Sequence, residues 1–128
     1  MATDPLGPGE STPADTLSQE QKLQTILSAL WDRSRHTVAE RAELLQLAGN
    51  LWVDNRLDEA TRLRAVDSAH KLAGVLGTFG LPRGTDLARE AEVRFGEATP
   101  PDKEEIDRLQ VLLEELARLI ELGPVRPS

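Results

Sequence analysis

An all-α, antiparallel four-helix bundle is the fold this sequence predicts, and three observations predict it. Leu and Ala carry most of the apolar content, which is 39% of the chain, while aromatics are only 3%; that balance favours helix over strand. Apolar residues recur at three- and four-residue steps in successive stretches, and period-two alternation is missing. Short breaks rich in Pro, Gly, Asp or Asn separate those stretches. Connections that short make consecutive helices antiparallel neighbours.

In chain order, residues 1–15 contain Pro5, Gly7, Pro8, Gly9 and Pro13 and too little apolar surface to fold. They read as a flexible tail. Thr16 and Gln19 then fit a capping box, with Thr16 as N-cap. Leu23, Ile26, Leu27, Leu30 and Trp31 share a helix face, and Val38, Ala42, Leu45, Ala48, Leu51 and Trp52 resume it. No Pro or Gly interrupts the polar stretch Asp32–Thr37, so one long helix over 17–54 is expected, ending at the turn Asp54-Asn55. The second helix runs from Asp58, its N-cap, to Phe79, and Gly80 supplies the left-handed residue behind it. Pro82 suits the first position of the third helix, which carries Leu87, Ala88, Ala91 and Phe95 and ends at Gly96. After the Ala98–Pro101 loop, Asp102, Glu104 and Glu105 open the last helix, as the macrodipole prefers. Its stripe is Ile106, Leu109, Leu112, Leu113, Leu116, Leu119 and Ile120, stopped by Gly123-Pro124. The bundle spans 16–122, with a second flexible tail over 123–128.

Composition narrows the function. With 15 basic and 22 acidic residues the net charge is −7, which argues against nucleic-acid binding. The charge is uneven: residues 1–55 and 95–128 are each net −4, and residues 56–94 are net +1. No cysteine is present, which removes disulfides, thiol catalysis and thiolate metal sites. No apolar run approaches the ~18 residues of a membrane span, and the polar, acidic N-terminus is unlike a signal peptide. A cytoplasmic protein is expected, without a membrane partner.

The stretch Ala69–Gly80 stands apart. It holds His70 and three of the nine glycines. Each interior helical Gly costs about 1 kcal/mol relative to Ala, so Gly74 and Gly77 need a reason. On a helical projection Leu72, Val75, Leu76 and Phe79 lie opposite His70, which therefore points away from the core. Ala73, Gly74 and Gly77 follow at i+3, i+4 and i+7, on the histidine's own side. Tight helix–helix packing would also use small residues. Packing, however, belongs on the apolar face, and these residues leave a bare strip through which another molecule reaches the imidazole. No His/Glu cluster has metal-ligand spacing, and no serine sits in a nucleophile elbow. An exposed imidazole with open access can itself act as a nucleophile toward a phosphoryl group.

Ala69, His70, Leu72, Gly74, Gly77 and Gly80 together resemble the signature of histidine-containing phosphotransfer (HPt) domains of two-component phosphorelays. The likeness is strongest over residues 58–95 and extends to the whole bundle. It implies a four-helix bundle with the phospho-acceptor His70 exposed mid-helix and no intrinsic kinase or phosphatase activity. The implied partners are a response-regulator receiver domain and a histidine kinase. No cofactor or metal is implied for this chain, since any Mg²⁺ belongs to the receiver. A monomer is expected. The chain departs from the family pattern at Ala73, where a Lys usually stands near the phosphoryl group. Lys71 and Arg83 are the candidate substitutes.

Two other readings follow from the same residues. One is a helical interaction module that has kept the bundle and lost phosphotransfer, which Ala73 supports. The other is a small helical enzyme with His70 as general base, for which the sequence offers no partner acid at recognisable spacing. His36 reads as solvated surface, Trp31 and Trp52 as core, and Arg62 and Arg64 as a solvated flank.

Overall fold

The structure, a computed structural model, describes the backbone of residues 13–97 and 99–124, and side chains from Ser18 onward. Residues 1–12 and 125–128, most of both expected tails, lie outside the described residues. Four helices follow in order: α1 (Pro13–Val53), α2 (Glu59–Thr78), α3 (Pro82–Gly96) and α4 (Lys103–Leu122). α1 packs on α2 and α4, and α3 packs on α2 and α4, so the helices form a closed ring of antiparallel neighbours.

Leu45, Leu72, Leu76, Phe95, Leu116 and Trp31 are the largest fully buried side chains. Burial of each contributes about 1.5–3 kcal/mol. Two aromatic pairs cross the core. Trp31 meets Phe79 edge-on at 5.1 Å, and Trp52 stacks on Phe95 at 4.8 Å. An ideal Cβ on Gly49 would lie 3.1 Å from Leu113 Cδ1, so this interior glycine serves close approach of α1 and α4.

The short connections behave as their residues dictate. Asp58 caps α2 by accepting the Thr61 amide at 2.8 Å, and Asp102 caps α4 by accepting that of Glu105 at 2.8 Å. Gly80, at φ 72°, reverses the chain after α2, and Pro82 opens α3 directly behind Leu81, its N-cap residue.

Three expectations need correction. α1 starts at Pro13, so residues 13–15 are helix and Thr16 lies inside it, not at its cap. Pro is suited to a first turn because its missing N–H has no intrahelical partner there. Leu23, Ile26 and Leu30 are not core; they are 57%, 56% and 41% exposed. The 41 residues of α1 extend about 60 Å, twice the reach of the 20-residue α2 and α4. Its first part therefore has no helix beside it, and Trp31 is its first buried residue among the described side chains. At the other end Gly123 and Pro124 are half-buried, not free tail. A Cβ on Gly123 would sit 2.7 Å from Trp31 Nε1, so Gly123 closes over that indole.

Candidate functional site

The antiparallel register of α2 and α3 builds the site. Gly84 packs against Leu76, the Thr85 hydroxyl donates to the Ala73 carbonyl at 3.4 Å, and Glu92 meets His70. α2 presents Leu72 and Leu76 to the core at 0% exposure, which turns His70 outward. Its side chain is 74% exposed.

His70 Nδ1 lies 3.0 Å from Glu92 Oε2. An ionised carboxylate can only accept, so Nδ1 carries the ring proton in this pair. Nε2 is then left with its lone pair, and this tautomer follows from the partner rather than from an observed hydrogen. The sequence offered no partner acid for His70 because Glu92 is 22 residues away, on the next helix. Only the α2–α3 register brings it near.

His70, Gly74, Ala73, Arg89, Glu92 and Val93 line a shallow open groove between α2 and α3. A Cβ on Gly74 would meet nothing within 4 Å, as an open approach to the imidazole requires. Gly77 does otherwise. Its Cβ would meet Thr85 Oγ1 at 3.6 Å, so it faces α3 and does not clear space for His70. Ala73 is also turned inward, only 6% exposed.

Neither expected cation stands free at the imidazole. Lys71 Nζ pairs with Asp67 at 2.9 Å, one turn back on α2. Arg83 grips Glu115 of α4 through Nε at 2.8 Å and Nη2 at 3.0 Å. That bidentate hydrogen bond holds the Glu115 carboxyl below its ordinary range. Arg83 is nine residues before Glu92 on α3, so it stands about 13 Å along the helix from the His70 pair.

The flanking residues divide. His36 is exposed and pairs with Glu40, as its polar surroundings suggest. Trp31 and Trp52 are buried. Arg62 is not a solvated flank: its side chain is 11% exposed, bonded to Glu59 and donating to the Phe95 carbonyl at 2.6 Å. It ties the start of α2 to the end of α3. Among the described residues no helix is long and apolar enough to cross a membrane, and no group of three or more potential ligands is placed to hold a metal ion.

The Hpt domain family model matches residues 20–121. Protein RcaC of Microchaete diplosiphon is 36% identical over 90 residues, which is 70% of this chain and 13% of that protein. The chain thus spans about an eighth of its relative's length. No solved structure matches significantly.

Proposed function

The chain belongs to the Hpt domain family, and we propose that it relays a phosphoryl group through Nε2 of His70, between a histidine kinase and receiver-domain aspartates. Hpt domains are phosphocarriers of two-component systems rather than enzymes, and they interact with histidine kinases and receiver domains. The observation that carries the finer reading is the His70–Glu92 pair beside an open groove. It offers a nucleophilic nitrogen to a partner while the other nitrogen is held.

The step balances simply. The Nε2 lone pair forms the N–P bond as the acyl P–O bond of an aspartyl phosphate breaks, and the released carboxylate keeps the bonding electrons. Positive charge grows on the ring during attack. The Nδ1–H bond to the Glu92 carboxylate stabilises that charge, by an amount that solvent around the exposed ring reduces. Reversal of the step passes the group to another receiver. Magnesium is the receiver's contribution, and this chain needs no cofactor of its own.

His70→Gln tests the reading. The ring is exposed, so the variant keeps the fold and its helical circular dichroism. Incubated with phosphorylated receiver domains, the parent acquires an acid-labile, alkali-stable phosphate, and the variant acquires none. Label retained by the variant sinks the assignment to His70. A second reading, an interaction module that binds receivers without taking phosphate, draws on the inward-turned Ala73. Receiver binding without any label in the parent protein favours it.

A further inference from the structure

A phosphoryl group on His70 would bring up to two negative charges onto a chain that is already net −7. It would also stand beside the Glu92 carboxylate. Some cation must offset that charge, and Ala73 has none to offer. Lys71 is engaged by Asp67 and Arg83 by Glu115, the latter away from the groove. Arg89 remains. It lines the same groove as His70, Gly74 and Glu92, and its side chain is exposed. Among the described residues it makes no ion pair or side-chain hydrogen bond, unlike its α3 neighbour Arg94, which reaches Glu90.

The register explains its place. On α3, Thr85 lies against Ala73, and Glu92 lies against His70. Arg89 stands between them, four residues after Thr85 and one turn before Glu92. That puts it between the levels of Ala73 and His70 on the opposite wall. Glu92 and Arg89, at i and i−3, share one side of α3. The small side chain of Ala73 and the bare Gly74 leave the space between the walls open to a long side chain. A guanidinium also suits three phosphoryl oxygens better than an ammonium, because its fork donates two bonds at once.

We propose that Arg89, from the opposite wall of the groove, holds the phosphoryl group on His70 and supplies the cation that Ala73 lacks. This rests on His70 being the phospho-acceptor. Glu92 and Arg89 then divide the work. Glu92 acts on the ring through Nδ1, and Arg89 acts on the phosphoryl oxygens beyond Nε2.

The test uses the full chain with Arg89→Ala and Arg89→Lys. Each protein is phosphorylated with phosphoramidate as a small donor and, separately, with a phosphorylated receiver domain. Thermal melts of both variants match the parent, because Arg89 holds no other element in place. Phosphate uptake falls roughly tenfold in Arg89→Ala, the scale of one lost charge-assisted hydrogen bond, and recovers partly in Arg89→Lys. A ³¹P NMR titration of the loaded protein gives a readout that folding alone would not move. Loss of the guanidinium shifts the last ionisation of the phosphoryl group to higher pH. Arg89→Ala with parental uptake and a parental titration overturns the Arg89 role and leaves the His70 reading standing. No phosphohistidine at position 70 in the parent overturns both.

Discussion

Glu92 decides which nitrogen of His70 is free. Its carboxylate accepts from Nδ1, so the ring proton is held on the α3 side and Nε2 keeps its lone pair. Glu92→Ala releases the ring to both tautomers, which ¹⁵N spectra of the imidazole distinguish. Phosphate uptake then falls about tenfold, on the scale of a lost hydrogen bond to a charged group. Glu92→Gln, whose amide oxygen still accepts, loses less. An Ala variant with a redistributed tautomer and an undiminished rate would remove Glu92 from the mechanism. At this scale Lys71 and Arg83 also find their places, as ion-pair partners of Asp67 and Glu115.

The glycines of α2 and the end of α4 show how one residue type serves different needs within an element. Gly74 faces open space, and Gly77 touches Thr85 at ordinary van der Waals distance. Gly74→Ala should therefore stabilise the fold by about 1 kcal/mol, the helix-propensity difference. The same methyl narrows the groove through which a partner reaches the imidazole, so phosphotransfer slows while the denaturant midpoint rises. Opposite signs in the two measurements separate the site from the helix; a midpoint that falls contradicts the open space at Gly74. Gly123→Ala moves the other way. At φ 71° and with its Cβ 2.7 Å from Trp31 Nε1, it is destabilised by more than about 1 kcal/mol. Intrinsic Trp31 fluorescence reports the disturbance.

Across the whole molecule, capping and ion-paired carboxylates make stability depend on pH. The hydrogen bond from Thr61 lowers the Asp58 carboxyl, the bond from Arg62 lowers Glu59, and the bond from Arg83 lowers Glu115. A group lowered in the folded state binds fewer protons there than when unfolded, so stability rises with pH across that range. The contribution is fully present above the unfolded carboxylate values, about 4, and is lost as pH falls through the folded values. Thermal midpoints should hold near neutrality and decline below about pH 4.5. Salt weakens the ion-paired part of the effect, since these groups are solvent-exposed. Glu115→Gln flattens part of the decline; an unaltered acid limb would show that the Arg83–Glu115 pair does not contribute.

The four helices, the cap at Asp58, the acidic start of α4, the reversal at Gly80, and the outward direction of His70 were all legible in the sequence. Each depends on local geometry: the 100° step between residues, the first amide groups of a helix, or one backbone angle. Leu23, Ile26 and Leu30 show where that legibility stops. Their spacing reveals a shared face, but nothing local reveals that α2 and α4 are too short to cover it. Gly77 and Ala73 share the histidine's side on a projection, yet α3 occupies the space beside them. By itself, then, the sequence determined the bundle and the histidine on its surface. Tertiary structure decided the histidine's company, bringing Glu92 and Arg89 to it across 22 and 19 residues of chain and drawing Arg83 away to Glu115. Helical periodicity records which way a side chain points, whereas the neighbour it meets depends on the register of a second helix.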